Sequence, residues 1–421
     1  IKEKRINSLF GKGQIAFRDY LFLDFTGRND WSSTLPLENN SYFYPSVSLS
    51  FALTDAFALT SDFLTFGKLR ASWAKVGNDA DPYKLQANYI AGNYGSYPTN
   101  YLESTLPVTN LKPETTESIE LGADFRFFSN RTGIDASVYK QNTYNQIIEA
   151  EVSKTSGFEF ATINAGEIEN KGIELLFRIT PIKNNVMHWD VSFNFAKNLS
   201  KVLELAQDIS TYTITQSSQV LIEARPGDPY GNIVGSSIER WYNYNADSTQ
   251  ILDHPNNGKY LINSQGLYDV GERKILGNIT PDWSGGFNTN FSYKNISVGA
   301  SFTIQMGGDI FSKTNKYGHD NGQFVATLEG RESWYNATEE EKIAGEAGYV
   351  ADGVLADGTE NTYGINPQTY FHQRKWGGIA ELDIYDASFV KLKQAYITYS
   401  LPSKLLSKIP FKSASFSLIG N

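Results

Sequence analysis

At 421 residues, with 37 Lys and Arg against 46 Asp and Glu, the chain has a net charge of -9 and no basic cluster that would hold a phosphate backbone, so nucleic acid is excluded as a partner. Zero cysteines remove disulfide frameworks, thiolate metal sites and thiol nucleophiles. Aromatic residues at 14%, including 25 Tyr and 26 Phe, favour strands over helices.

No run of about 18 apolar residues offers a helical membrane span. The N-terminal IKEKRINSLF lacks the apolar core of a secretory signal and opens directly into a strand pattern, while Ser415 to Asn421 stops inside another. Both ends therefore read as cuts through a larger sheet.

The first informative stretch is TGRNDWSSTLPLENNSYFYPSVSLSFALTDAF, Thr26 to Phe57. Asn29, Asp30, Trp31, Ser32 and Ser33 read as a strand-to-loop junction whose short polar side chains bond their own backbone, and Tyr42 to Phe57 as the next strand. In ESIELGADFRFF, Ile119, Leu121, Ala123, Phe125 and Phe127 alternate with Glu120, Asp124 and Arg126. In GIELLFRIT, Ile173, Leu175, Phe177 and Ile179 alternate with Glu174 and Arg178, and Trp189, Val191, Phe193 and Phe195 continue the pattern.

The longest example is GGFNTNFSYKNISVGASFTIQMGG. Phe287, Thr289, Phe291 and Tyr293 share one face and, past a tight Lys294-Asn295 turn, so do Ile296, Val298, Ala300, Phe302, Ile304 and Met306. Asn288, Asn290, Ser292, Ser297, Ser301, Thr303 and Gln305 take the other face. On the order of a dozen such strands, many of roughly 9 to 11 residues, match the length that carries a tilted strand across a bilayer.

Short turns at Ser129-Asn130-Arg131 and Lys294-Asn295 contrast with long segments at about 78–111, 205–280 and 307–387, which places long loops on one rim and tight turns on the other. Thr338 to Ala347 is predicted as a short helix inside a loop, capped by Thr338.

This pattern predicts an all-β fold, a transmembrane antiparallel β-barrel, against the alternative of a soluble β-sandwich whose apolar face is its core. The apolar stripes contain no charged residue, as a bilayer midplane requires. The opposite faces are rich in Asn, Ser, Thr, Gln and Gly, suited to a wet or plugged lumen, and Tyr139, Tyr144, Trp189, Tyr293 and Tyr399 are placed near strand ends at headgroup level.

Catalytic chemistry finds little footing. His188, His254, His319 and His372 are widely spaced and read as loop residues. In DGVLADGTEN the carboxylates Asp352, Asp357 and Glu360 lack the regular spacing of calcium loops, so a solvated turn is the preferred reading and no metal is expected. Glu339, Glu340 and Glu341 read as an exposed helix face. The long segments carry aromatic rings with hydrogen-bonding ends: Tyr83, Tyr89, Tyr94, Tyr97 and Tyr101 in the first, Trp241, Tyr242 and Tyr244 in the second, and Trp334 and Trp376 in the third. These either bind a sugar, peptide or partner protein, or pack the loops against one another.

The patch GRNDWSSTLP with SYFYPSVSLSFALTDAF resembles the SusC/RagA family of TonB-dependent outer-membrane transporters of Bacteroidetes. So, in order, do LRASWAKVGND, LKPETTESIELGADFRFFSNRTGIDASVYKQNTYNQI, NAGEIENKGIELLF, LGNITPDWSGGFNTNFSYKN and ASFVKLKQAYITYSLP, which span nearly the whole chain. The resemblance implies the middle and later part of a 22-stranded barrel, with the plug domain, the TonB-interacting segment and the last strands absent. Where many relatives have an acidic loop before LGN, KYLINSQGLYDVGERKILG offers only Asp269 and Glu272, so no metal site is carried over.

The resemblance further implies an outer-membrane location, TonB-driven import of an oligosaccharide or peptide, a SusD-like lipoprotein closing as a lid, a dimer of such pairs, and no bound nucleotide or redox cofactor in this chain. The soluble alternative is a surface carbohydrate-binding β-sandwich using Trp241, Trp334 or Trp376 as sugar platforms, and a secreted β-rich hydrolase is a third reading.

Overall fold

A computed structural model describes residues 2–59, 61–206, 209–245, 250, 252–402, 406 and 411–421. Strands β1 (Ile6–Phe17), β2 (Leu21–Ser32), β3 (Ser41–Ala52) and β4 (Leu64–Asn78) follow one another, with one helical turn, α1 (Leu53–Ala56), between the last two. The chain then departs into a hairpin, β5 (Tyr89–Tyr94) and β6 (Tyr97–Leu102), and a two-residue strand, β7 (Thr105–Leu106). It returns as β8 (Glu114–Phe127), β9 (Thr132–Glu151), β10 (Phe160–Lys183) and β11 (Met187–Glu204).

A second excursion holds β12 (Tyr212–Ser217), β13 (Val220–Ala224), β14 (Asn232–Ile238) and β15 (Val270–Asn278), after which β16 (Trp283–Tyr293) and β17 (Ile296–Met306) form a hairpin. The third holds β18 (Asp309–Phe311), α2 (Lys313–Asp320), α3 (Arg331–Asn336), α4 (Glu339–Ala344), β19 (Tyr349–Val350), β20 (Gly364–Ile365), α5 (Pro367–Trp376) and β21 (Ile384–Asp386). The chain ends with β22 (Phe389–Ser400) and β23 (Ser415–Gly420).

Twelve strands pair antiparallel in one continuous path, β1-β2-β3-β4-β8-β9-β10-β11-β16-β17-β22-β23. The register keeps the apolar set in phase across the wall: Phe125 faces Ile134, which faces Phe177, then Phe193, Phe287 and Phe302 in turn. A slip of one residue at any of these pairs would turn a stripe inward, so the hydrophobic pattern itself fixes the register. The stripes are uncovered: Leu121, Val138, Ile173, Val298, Ile397 and Leu418 are all exposed on one side of a single layer. That rules out the sandwich, in which a second sheet would bury them.

The other face is wet. Arg178, Ser192, Asn288 and Ser301 are successive register partners there, and a concavity of about 800 Å³ opens among them. Tyrosines lie flat on this inner wall over glycines of facing strands. A Cβ at Gly172 would sit 2.4 Å from the Tyr139 ring and one at Gly299 2.4 Å from Tyr396, and the two hydroxyls donate to Asn198 Oδ1 and Asn290 Oδ1, each at 3.1 Å.

Three sequence expectations need correction. Tyr139 belongs to this inner face, because its position alternates with exposed Val138; Trp189, Tyr293 and Tyr399 do stand on the outer face by the short turns. The Asn29–Ser33 stretch is mostly strand, since β2 runs to Ser32; the expected local bonding is present where Ser32 Oγ accepts the Thr34 N–H at 3.2 Å, and in addition Asp30 accepts from Arg28 of its own strand and from Tyr44 of β3, and Ser32 and Lys4 donate to Asp79. Tyr42 to Phe57 is a strand only to Ala52, after which α1 turns the chain. The wall is also taller than a bilayer requires, with β9, β10 and β11 at 20, 24 and 18 residues.

Candidate binding surface

All three excursions leave the same rim of the wall, opposite the short turns at 128–131, 184–186 and Lys294-Asn295. The first is dominated by the β5–β6 hairpin, YIAGNY and YPTNYL, which carries no charge. Register pairs Tyr94 with Tyr97 and Ile90 with Tyr101 on one face. Tyr89 is 76% exposed, Tyr94 81% and Tyr97 73%. At the base of the hairpin Tyr83 has φ 69°, a strained value for a tyrosine, and its hydroxyl accepts the Glu3 N–H at 3.2 Å.

The second and third excursions pack into one another. Ile238, Ile262 and Tyr268 of the second share a core with Ala351, Ile365, Tyr370, Phe371 and Ile379 of the third. Tyr370 stacks on Tyr349 at 4.1 Å and donates to the Tyr268 hydroxyl at 3.2 Å; burial pushes both the Tyr268 and Tyr370 hydroxyls above their ordinary range. Polar clasps cross the same boundary. Glu381 accepts the Ile238 N–H at 2.8 Å and pairs with Arg240, Lys316 Nζ donates to Ser218 Oγ at 2.8 Å, and Gln373 both donates to Tyr268 O and accepts its N–H. Asp383, fully buried, is held by Arg374 at 2.7 Å, yet burial still raises its carboxyl pKa.

These contacts decide which aromatic rings are available. Trp241 donates Nε1–H to Ala356 O at 3.0 Å and lies 5.0 Å from His254, so it ties the second excursion to the third. Trp334 lies under Lys342 Nζ, 5.5 Å from the ring centre, and a Cβ at Gly348 would sit 2.9 Å from it. Tyr242 and Tyr244 are exposed, and the side chain of Trp376 lies outside the described residues. Tyr89, Tyr94 and Tyr97 thus stand exposed, while Trp241 and Trp334 are half-buried by these loop contacts.

His254, His319 and His372 lie in the excursions, where His319 Nδ1 is 2.8 Å from Asn315 O and His372 Nδ1 is 2.6 Å from Asp320; His188, expected in a loop, is instead a residue of β11, 2.8 Å from Asp190. Burial holds the His319 pKa below its usual value. In the 352–361 turn Asp357 accepts from Thr359 N–H and Oγ1, which lowers its pKa, and Glu360 pairs with Lys259 at 3.0 Å. Among the described residues no three His, Cys, Asp or Glu side chains converge to hold a metal.

The family of the wall follows from comparison. The family model described as TonB dependent receptor-like, beta-barrel matches residues 2–303. The chain belongs to this TonB-dependent receptor β-barrel family. It is 26% identical over 438 aligned residues to TonB-dependent receptor P3 of Formosa agariphila, covering 100% of this chain and 41% of that one. It is 25% identical over 321 residues to the TonB-dependent receptor SusC of Bacteroides thetaiotaomicron, covering 72% and 31%. In structure it is similar to the RagAB peptide transporter, with a TM-score of 0.72 at 22% identity, over 99% of this chain and 43% of that chain.

TonB-dependent receptor barrels are outer-membrane proteins, so the uncharged stripes face lipid. The chain spans about two fifths of the length of these first relatives.

Sequence reasoning placed α4 correctly, and its capping box is complete: the Glu341 N–H meets Thr338 Oγ1 while Glu341 Oε2 accepts the Thr338 N–H. It missed α2 and α5. Both carried signals: Ser312 as N-cap of α2, and Asn366 with Pro367 at the start of α5.

Proposed function

We propose that the full-length protein imports a solute too large for porins across the outer membrane in a TonB-dependent manner, as the resemblance to SusC implies. The carrying observation is a single-layer wall, belted outside by uncharged apolar stripes and wet inside, crowned on one rim by folded units. The wall here forms the middle and later part of the complete barrel, and the rim bearing the excursions faces the outside of the cell. This protein is a transporter rather than an enzyme.

The solute is an oligosaccharide or peptide; the likeness to RagAB, named a peptide transporter, supports the second. A surface lipoprotein of the SusD type seats on the excursion rim. The β5–β6 hairpin is its most suitable contact, because a free two-stranded ribbon is marginal in water and this one presents Tyr89, Tyr94 and Tyr97 without any charge. TonB acts through parts of the protein outside these residues, and two transporter–lipoprotein pairs associate.

Uptake of labelled oligosaccharide and peptide pools by cells carrying the full-length protein tests this. Uptake that stops on removal of TonB is expected, and uptake that continues without TonB would overturn it. Purification of the same protein should bring a lipoprotein with it, and Tyr94→Ala with Tyr97→Ala should weaken that association.

A further inference from the structure

Directly above the apolar belt, on the lipid-facing side, five lysines gather in one sector of the wall. Lys140 and Lys171 are register partners, flanked in the same row by Ile119 and Leu199. The next row toward the excursion rim holds Glu117, Asn142, Glu169 and Lys201, with Lys75 facing Glu117 from β4. Lys197 faces Ile173 one row below. All five share their face with the exposed apolar residues Val138, Ile173 and Leu199, and all five are exposed.

Glu169 alone holds two of them, Lys140 at 2.9 Å and Lys171 at 2.6 Å, and Glu117 accepts from Trp73 Nε1 at 2.7 Å. Lys75, Lys197 and Lys201 have no hydrogen-bond or ion-pair partner among the described residues. At the same end of the wall Trp31 and Phe43 on one side and Met306 and Val390 on the other are exposed and uncharged, and Arg5 beside Trp31 is paired with Glu3. The unpaired cations named here therefore gather on β4–β11.

We propose that this sector binds the phosphate groups of a phosphorylated glycolipid in the outer leaflet, with Lys171, Lys197 and Lys201 as the principal contacts. Five ammonium groups against the three carboxylates of Glu117, Glu167 and Glu169 leave net positive charge in the sector, and the continuous apolar rows below would take the acyl chains of the same molecule. The arrangement suits an amphiphile with an anionic head rather than a free ion. It rests on the excursion rim facing outward.

The test uses full-length protein extracted from outer membranes, with retained lipid counted by native mass spectrometry. The variants are Lys197→Gln/Lys201→Gln, the triple variant that adds Lys171→Gln, and Lys294→Gln at the opposite rim as control. Occupancy by phosphorylated glycolipid should fall roughly fivefold for each lysine removed, remain unchanged in the control, and survive millimolar inorganic phosphate. Unchanged retention in the triple variant, equal loss in the control, or displacement by inorganic phosphate would overturn the proposal. Lysine-dependent retention of glycerophospholipid instead would overturn the leaflet assignment, whereas loss of TonB-driven uptake with lipid retention intact would count against the transport reading alone. Lys197 and Lys201 touch no described polar partner, so the double variant should keep its fold, which resistance to unfolding in SDS without heating will confirm.

Discussion

The wall and the clasped unit on its rim are held by different physics. Every wall strand is ordered by its immediate neighbours, and its large apolar residues point away from the protein. In the rim unit the core is internal and assembled from distant sequence: Ile238 meets Ile379, and Tyr268 meets Tyr370 102 positions later. A membrane replaces the core for one region, whereas the other must build its own in water.

The sharpest way to separate them is Ile238→Ala. This side chain is 1% exposed, and its loss should cost the rim unit about 2–5 kcal/mol. Amide exchange should accelerate in α2, α5 and β14 while β8–β11 stay protected; uniform acceleration would show that the regions are not separable. Next in size, Phe302→Arg on the outer face should destabilise the wall in bilayers by about 2–4 kcal/mol, while Ser301→Arg on the inner face should be far milder. Equal effects in a urea titration would break the inside-outside assignment. Thr338→Ala should cost about 1 kcal/mol, seen as faster exchange confined to α4.

The smallest effect concerns pH. His319 is flanked by Phe324 at 4.8 Å and Phe371, with Arg374 opposing and Asp383 favouring its charge. Its pKa is lowered in the folded unit, so below the ordinary value of about 6.5 the opened unit binds the proton first and folding is weakened as pH falls. Asp383 acts in the opposite sense, because its carboxyl is raised and acidification relieves the cost of its burial. Exchange in α2, corrected for intrinsic rates, should rise modestly from pH 7.5 to 5.5 and lose that rise in His319→Asn; a rise that persists in the variant would assign it elsewhere.

The same contrast explains what could be read in advance. A wall strand declares its two faces within ten residues, so Ile296 to Met306 reveals lipid and lumen at once. Tyr139 misled because a tyrosine on the inner wall, lying over Gly172, looks in sequence like a headgroup-level ring. Whether Trp241 and Trp334 pack or stay open could not be read locally, because the atoms that contact them, Ala356 O and Lys342 Nζ, lie on other parts of the fold or outside the aromatic motif. The helices α2 and α5 show only their caps, since their buried faces are defined by partners far along the chain. Tyr89, Tyr94 and Tyr97 are exposed on an uncharged aromatic ribbon that needs no distant residue to describe it.

The absence of native cysteine allows the central assignment to be read directly. Single cysteines placed in the full-length protein between positions 297 and 304, leaving out Gly299 under the Tyr396 ring, labelled with a fluorophore and reconstituted in bilayers, should alternate strictly: quenching by a lipid-borne quencher at Val298, Ala300, Phe302 and Ile304, and by an aqueous one at Ser297, Ser301 and Thr303. Loss of that two-residue period, or its reversal, would contradict a wall that faces lipid with its apolar stripes.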